Sequence, residues 1–289
     1  MPELPEVETI AQQLNRRLKG KEIEMVEVLR EKSFVGKEKE LVGKRIKKID
    51  REAKMIWVSF VGWESVIVVH LKMTGQLVWR PENWDMGHMK REVVGGHPSE
   101  DWVKELPDKH TRVVIGFSDG SRLFFNDLRV FGWMKLVSEK EWGKIVDKLP
   151  PDVVDEDFSL KYLSEVLSGS SRAVKLVVMD SNKIGGAGNI YANDALNLAR
   201  IDPRRSAREL KEGEVERLYK ALKKVISLGI KYGGATYSDF RDTQGLGGRY
   251  QDHFLVYKRD GRRCKNCGGK IKKTKLGGRG TYYCPDCQT

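Results

Sequence analysis

The stretch Met1-Pro2-Glu3-Leu4-Pro5-Glu6 begins the chain and predicts its first helix. Proline and glutamate are favoured in a first helical turn, because the proline ring fixes φ and the acid complements the helix dipole. Apolar residues then recur at helical spacing, at Val7, Ile10, Leu14 and Leu18. This periodicity predicts a helix over about residues 5–19 with one apolar face.

Pro2 also has a chemical interpretation. Once Met1 is removed, Pro2 carries a secondary α-amine, a kind of group whose pKa is about 8 rather than the ~10.4 of lysine. Part of such an amine is neutral at pH 7, and the neutral form can attack a carbonyl carbon. Glu3 stands beside it as a proton donor or acceptor. From these residues alone, a first helical turn and a catalytic amine are both tenable.

The net charge of the chain favours a polyanionic partner, since 289 residues carry a formal charge of +12. Much of this charge lies in residues 258–279, which contain ten Lys or Arg and one acid. The length allows two or three domains. No apolar run approaches the ~18 residues of a membrane span, and the acidic start does not resemble a signal peptide. We therefore expect a cytoplasmic protein with no membrane partner.

The four cysteines all lie in or next to this basic segment, at Cys264, Cys267, Cys284 and Cys287. Two Cys-x2-Cys pairs separated by sixteen residues are typical of a tetrahedral four-thiolate zinc site. The rest of the chain has no cysteine, which argues against a disulfide framework. We therefore predict one structural Zn²⁺. Between the pairs, Gly277-Gly278-Arg279-Gly280 is predicted to form a hairpin tip that exposes Arg279.

Short β-branched and aromatic runs follow the first helix and indicate strands. They cover residues 44–54, 55–60, 66–71, 112–117, 122–126 and 134–137. Ser118-Asp119-Gly120 is a hairpin turn signal between two of them. Successive short strands with tight turns predict an antiparallel sandwich or barrel. Residues 80–109 are polar with low periodicity, which predicts a long loop.

The pattern becomes helical after residue 158. Ser138 with Glu141 first predicts a capped short helix, and a linker with Pro150-Pro151 follows. Helices are expected over residues 159–167 and 171–179, and over a longer segment with its apolar stripe at Val215, Leu218, Leu222, Val225 and Ile226. The glycine-rich residues 183–189 lead into a helix near Asn189, whose first N–H groups can bind a phosphate.

Six features of the sequence occur in one order along nearly its whole length. They are Pro2-Glu3-Leu4-Pro5-Glu6-Val7-Glu8, Ala53-Lys54, His70-Leu71-Lys72-Met73-Thr74-Gly75, Asp127-Leu128-Arg129-Val130-Phe131-Gly132, Gly188-Asn189-Ile190-Tyr191-Ala192 and the four-cysteine motif. In this combination the chain resembles the formamidopyrimidine-DNA glycosylase and endonuclease VIII family of base-excision repair enzymes.

The resemblance implies an α+β multidomain fold. It comprises an N-terminal antiparallel β-sandwich with a flanking helix, a helix–two-turn–helix domain and a C-terminal zinc ribbon. With the sequence patterns, this predicts a catalytic sandwich over residues 1–137, a linker over 138–151, the helical DNA-binding domain over 152–251 and the ribbon over 252–289. The implied partner is double-stranded DNA with oxidised bases or abasic sites, bound by a monomer that is associated with the nucleoid.

The resemblance also implies a DNA glycosylase with abasic-site lyase activity. Pro2 resembles the nucleophile that attacks C1′ of the damaged nucleotide, and Glu3 the residue that protonates the sugar ring oxygen. Leu4-Pro5 is typical of formamidopyrimidine glycosylases, which remove oxidised purines. The alternatives are an endonuclease VIII-like glycosylase for oxidised pyrimidines and a catalytically silent protein that binds damaged DNA. Intact Pro2 and Glu3 favour an enzyme.

Further residues match the family's DNA contacts. The groups that hold phosphates at the catalytic centre match Lys54, Asn189 and Arg279. The trio that fills the space left by an extruded base matches Met73, Arg129 and Phe131, although Met73 and Phe131 also fit a buried core pair. Lys175 matches a lysine that handles the lesion. Leu128 and Val130 differ from the proline and second arginine that the family often has.

Overall fold

The computed structural model describes residues 2–83, 93–96, 106–235 and 248–289. The described chain forms two compact units. The first contains the described residues up to Lys148 together with 233–235 and 248–249, and the second contains Leu149–Tyr232 and Tyr250–Thr289. Among the described helices, none is both long enough and apolar enough to span a membrane.

The first unit contains helix α1 (Leu4–Leu18), helix α2 (Glu139–Val146) and two β-sheets. Its described strands are β1 (Ile23–Val28), β2 (Phe34–Val35), β3 (Ile46–Glu52), β4 (Met55–Phe60), β5 (Trp63–His70), β6 (Gly75–Arg80), β7 (Val93–Gly96), β8 (Thr111–Phe117), β9 (Arg122–Asp127) and β10 (Trp133–Ser138). The sheets have the strand orders β1-β8-β9-β6-β7 and β2-β10-β5-β4-β3. Of the described pairs, only the short β2–β10 pair is parallel. The predicted antiparallel sandwich is confirmed with that one exception.

The run of apolar residues in β5 is explained by burial on both faces of its sheet. Ile67 and Val69 point into the core that both sheets share, whereas Val66 and Val68 pack against Trp142 of α2. A strand covered on both faces loses the apolar–polar alternation of a half-exposed strand. The shared core also buries the apolar stripe of α1.

Both predicted helix starts in the first unit are confirmed. The opening helix begins at Leu4, close to the expected start. Helix α2 begins after Ser138, whose Oγ accepts a hydrogen bond from Glu141 N at 3.2 Å. The Glu141 carboxylate accepts a bond from Ser138 N at 3.0 Å in return. This reciprocal pair is the predicted capping box.

The second unit combines four helices with a two-stranded ribbon among its described residues. The helices are α3 (Leu160–Ser168), α4 (Val174–Val178), α5 (Asn189–Leu198) and α6 (Glu212–Lys231). The ribbon consists of β11 (Lys272–Leu276) and β12 (Arg279–Tyr283). The predicted stripe of α6 is buried, with Leu218, Leu222 and Ile226 at 0% exposure.

Several boundaries differ from the prediction. Helix α4 is shorter than residues 171–179, because Ala173 instead forms a β-bridge with Ser206. Strands β1, β2 and β6 were not predicted. In β6 every residue is buried and the sequence does not alternate. The predicted loop over residues 80–109 is partly wrong, because β7 pairs with β6 there. The remainder of that stretch lies mostly outside the described residues.

Candidate functional site

The start of α1 is fixed by the buried carboxylate of Glu6. Its Oε2 accepts a hydrogen bond from Glu3 N at 2.8 Å, and its Oε1 accepts one from Ala235 N at 2.8 Å. Glu6 is 2% exposed and Glu3 is 5% exposed, while Pro2 is half-buried. A side chain on Gly234 would place Cβ 2.8 Å from Glu6 Cγ, so glycine is required for this approach. The sequence prediction treated Glu6 only as a first-turn acid.

Lys54, His70 and Lys72 form a second feature of the first unit. Lys54 lies in the turn between β3 and β4, and His70 ends β5. His70 Nδ1 accepts a hydrogen bond from Lys72 N at 3.0 Å. Burial, with the nearby charges of Lys72 and Lys54, lowers the pKa of His70 to about 4. Since Nδ1 accepts, the neutral ring carries its proton on Nε2 and can donate to an anion. His70 was not among the functional residues predicted from the sequence.

Two neighbouring loops of the first unit carry Met73, Arg129 and Phe131. The β6–β9 register pairs Gly75 with Asp127, which places both loops at the same end of the sheet. Phe131 is 53% exposed, and the Arg129 guanidinium lies 4.8 Å from the centre of its ring. A buried core pair of Met73 and Phe131 is therefore excluded, and the exposed ring with its stacked cation suits a contact with bases.

In the second unit, Asn189 is the first residue of α5 and follows a glycine-rich turn, as predicted. The Asn193 amide donates to Asn189 O at 2.5 Å and to Asn189 Oδ1 at 3.3 Å. Because Oδ1 accepts this bond, the NH₂ group is the part of the Asn189 side chain that can donate to a phosphate. The first turn of α5 adds backbone N–H groups and the positive end of the helix dipole.

Arg279 is exposed as the first residue of β12, directly after the tight turn at Gly277 and Gly278. Both glycines have positive φ, at 54° and 76°, as a two-residue hairpin turn requires. The predicted hairpin tip is confirmed.

This hairpin is held by buried polar groups from the helices. Lys175 on α4 is 0% exposed, and its Nζ donates to Gly280 O at 2.9 Å and to Thr281 Oγ1 at 2.7 Å. Asn193 Oδ1 accepts from Tyr282 N at 2.8 Å. Lys175 is therefore buried within the second unit and does not lie on a surface. Its partner Gly280 is the residue that follows Arg279 on β12.

The four predicted zinc ligands lie together in the ribbon. Their sulfur atoms are all within 4.8 Å of one another, with 3.8 Å between Cys264 and Cys287 and 3.4 Å between Cys267 and Cys284. Tetrahedral zinc with Zn–S bonds of ~2.3 Å requires sulfur atoms about 3.8 Å apart. Burial raises the pKa of Cys264, but hydrogen bonds from the backbone of Asn266 and Cys267 and with the neighbouring thiols outweigh burial and bring this pKa to about 7. The cluster thus fits one structural zinc.

Asp194 on α5 also supports the ribbon, although the sequence prediction missed it. Its carboxylate is 0% exposed and accepts hydrogen bonds from Leu255 N, Val256 N and Tyr257 N at 3.0–3.1 Å. Burial raises the pKa of Asp194, and these backbone bonds oppose the rise. Asp194 thereby fixes the segment that leads into the zinc site.

Comparisons with known proteins cover the whole chain. Family models for the formamidopyrimidine-DNA glycosylase N-terminal domain and H2TH domain match residues 1–134 and 149–241. A zinc finger found in FPG and IleRS matches residues 261–289. The formamidopyrimidine-DNA glycosylase of Pelotomaculum thermopropionicum is 37% identical over 295 residues, covering 100% of this chain and 99% of that protein. The chain belongs to the formamidopyrimidine-DNA glycosylase family.

Solved structures of this family have the same fold. The Lactococcus lactis Fpg in complex with DNA that contains an abasic site is 29% identical, with a TM-score of 0.83 and 100% of both chains covered. The same protein with DNA that contains an N7-benzyl-Fapy-dG is 30% identical, with a TM-score of 0.84 and the same coverage. The resemblance and the fold class predicted from the sequence are confirmed.

Proposed function

We propose that this chain is a DNA glycosylase of base excision repair that removes oxidised purines, 8-oxoguanine and formamidopyrimidines, and then cleaves the strand as a lyase. The observation that carries this proposal is the start of α1. Pro2 and the buried Glu3 are adjacent there, and the Glu6 carboxylate fixes the backbone of Glu3. Relatives named formamidopyrimidine-DNA glycosylase, and family structures with damaged DNA, support the substrate class.

The proposed chemistry uses the Pro2 amine after Met1 is removed. Its nitrogen attacks C1′ of the damaged nucleotide and displaces the base, while Glu3 protonates the sugar ring oxygen. A secondary amine has no second proton to lose, so the product is a charged iminium. The iminium acidifies the C2′ hydrogens, and β-elimination followed by δ-elimination cleaves the strand on both sides of the sugar.

Each unit contributes DNA contacts in this proposal. In the first unit, Lys54 and the neutral His70 bind phosphate, and Met73, Arg129 and Phe131 occupy the space of the extruded base. The Arg129 guanidinium hydrogen-bonds the orphaned base opposite the lesion. In the second unit, Asn189 and Arg279 bind phosphate. The buried position of Lys175 supports an indirect role, through the backbone next to Arg279, in place of the predicted contact with the lesion.

In this proposal zinc has a structural role and takes no part in the chemistry. The four cysteines would hold the ion, and a bound zinc stabilises the fold of a ribbon this small. The proposed partner is double-stranded damaged DNA, bound by a monomer in the cytoplasm with the nucleoid. We also propose the domain boundaries predicted from the sequence. The catalytic sandwich ends at residue 137, the linker at 151 and the helical DNA-binding domain at 251, and the ribbon follows.

Two alternatives remain for experiment. An endonuclease VIII-like enzyme would prefer oxidised pyrimidines, and a silent damage-binding protein would bind without cleavage. The Leu4-Pro5 sequence and the buried Glu3 beside Pro2 favour the proposed enzyme over both.

The test uses duplexes that each contain one lesion, assayed for base release, strand cleavage and covalent trapping with borohydride. We expect 8-oxoguanine opposite cytosine to be cleaved faster than thymine glycol, with trapping through residue 2. A matched variant whose Met1 cannot be removed should form no trapped complex, because its Pro2 nitrogen is an amide. Preference for thymine glycol would assign the chain to the pyrimidine-specific alternative. Trapping of the blocked variant at the wild-type rate would show that another amine is the nucleophile.

A further inference from the structure

The carboxylate of Asp127 joins the two loops that carry Met73, Arg129 and Phe131. Asp127 ends β9 and is 0% exposed. Its Oδ1 accepts hydrogen bonds from Thr74 Oγ1 and from Arg129 N, the latter at 3.2 Å. Its Oδ2 accepts from Gly132 N at 2.6 Å. One side chain thus holds the Met73 loop and both ends of the Arg129–Gly132 segment.

Thr74 completes this arrangement. Its hydroxyl donates to Asp127 and also accepts from Arg129 N at 3.1 Å. The Arg129 amide is therefore shared between two acceptors, one from each loop. Since buried polar groups are costly to leave unpaired, this geometry favours one position of the Arg129 backbone.

The backbone of Asp127 is held as well. The Arg112 guanidinium donates to Asp127 O at 2.8 Å and 2.6 Å, and Asp127 N donates to His110 O at 2.9 Å. A Cβ on Gly132 would lie 3.0 Å from Asp127 Oδ2 and 2.9 Å from Phe125, so a side chain is hard to place there. Hydrogen bonds therefore hold both the backbone and the side chain of Asp127, and the exposed loop is bonded to this fixed residue.

Val130 shows that the loop is constrained. Its φ is +55°, a left-handed conformation that is uncommon for a β-branched residue. Such strain persists only where surrounding contacts determine the backbone. The contacts here are the bonds to Arg129 N and Gly132 N, on either side of Val130.

We propose that Asp127 and Thr74 are positioning residues that determine how strictly the enzyme discriminates the base opposite the lesion. They act by fixing the backbone of Arg129, whose guanidinium reaches the orphaned base. This inference rests on the proposed function, in which Arg129 pairs with that base. Neither Asp127 nor the Thr74 hydroxyl contacts DNA in this role, because both are engaged within the first unit.

The first experiment measures amide hydrogen exchange in the protein without DNA. Thr74→Ala and Asp127→Asn should raise the exchange rate of the Arg129 amide by at least about tenfold, because each removes or weakens one of its acceptors. Thr74→Ser, which keeps the hydroxyl, should restore protection. Ser59→Ala is the matched control, since Ser59 is 6% exposed and its hydroxyl bonds to Lys48 O on the neighbouring strand. Both residues belong to the sheet that does not contain β6 and β9. Unchanged exchange at Arg129 in the Thr74 and Asp127 variants would overturn the proposal.

The second experiment compares kcat/KM for 8-oxoguanine opposite cytosine and opposite adenine. Thr74→Ala should reduce this ratio about tenfold, and Thr74→Ser should return it towards wild type. Cleavage of a single-stranded abasic site should fall far less, because no opposite base is read there. A ratio that changes no more in Thr74→Ala than in Ser59→Ala would overturn the specificity role. Faster exchange in the variants, with a wild-type enzyme indifferent to the opposite base, would instead refute the proposed role of Arg129.

Discussion

At the scale of single residues, Glu6 shows how a buried acid can determine the geometry of its neighbours. Its two carboxylate oxygens accept from two backbone N–H groups, those of Glu3 and Ala235. Glutamine at this position offers one acceptor and one donor group, so one N–H group would face another donor.

We therefore predict that Glu6→Gln lowers the free energy of unfolding by about 1–3 kcal/mol. It should also slow base excision, because the backbone next to Pro2 is less fixed. Urea unfolding and borohydride trapping measure the two effects. Glu216→Gln, on the exposed side of α6, is the control and should change neither. Wild-type stability in Glu6→Gln would contradict the importance of the two bonds.

The neutral state of His70 leads to a prediction about pH. The folded protein lowers the pKa of His70 from 6.5 to about 4, so between these values the unfolded chain binds more protons. Stability contributed by His70 is complete above pH 6.5 and decreases as the pH falls towards 4. The loss should reach roughly 3 kcal/mol.

His70→Gln tests this, because glutamine does not titrate. The difference in free energy of unfolding between wild type and His70→Gln should shrink steadily from pH 7 to pH 4. Denaturant unfolding at several pH values measures it, and other titrating groups cancel in the difference. A difference that is constant over this range would show that His70 protonates normally in the folded protein.

At the scale of elements, the β11–β12 hairpin depends on α4 and α5 for its position. Lys175 supplies two donors to Gly280 and Thr281, and Asn193 accepts from Tyr282. The turn at Gly277 also lies against Leu176, since a Cβ there would be 2.6 Å from a Leu176 methyl carbon. The exposed Arg279 is thus presented by a hairpin with buried anchors.

We predict that Lys175→Met weakens binding to abasic-site duplex DNA about as much as Arg279→Ala does. Methionine fills a similar volume but leaves Gly280 O and Thr281 Oγ1 without their donor, which costs about 1–3 kcal/mol. Fluorescence anisotropy measures the affinity, and metal analysis should still find one zinc. An altered lesion preference with unchanged abasic-site affinity would instead support a direct contact of Lys175 with the lesion.

At the scale of the whole molecule, the first unit and the zinc ribbon of the second unit differ in what stabilises them. The first unit has a large apolar core shared by two sheets and α1. The ribbon has a small apolar cluster that includes two of its own cysteines, Cys264 and Cys284. A cluster of this size leaves much of the ribbon's stability to the metal.

Loss of zinc should therefore affect the molecule unevenly. Cys284→Ser is expected to lose its metal and most of its DNA affinity, while the first unit keeps its cooperative unfolding transition. Metal analysis, DNA binding and tryptophan fluorescence distinguish these effects, because all the described tryptophans lie in the first unit. Native protein without zinc, or Cys284→Ser with wild-type affinity, would contradict the structural role of the ion.

Local patterns in the sequence determined much of this protein. The apolar stripe of α1, the capping box at Ser138, the start of α5 at Asn189 and the spacing of the cysteines each depend on residues close together in the chain. Hydrophobic periodicity, caps and metal-ligand spacing are short-range properties, so they can be read without knowing the fold.

Only the tertiary structure determined which partners are bound by the polar groups that position the candidate site. Glu6 bonds to Ala235, 229 residues away, and Lys175 bonds to Gly280, 105 residues away. Asp127 gains its role from a loop 53 residues earlier in the chain. A buried carboxylate or ammonium must find partners, but its own sequence neighbourhood does not say where they are. These contacts exist because folding brings distant segments together and excludes water from between them.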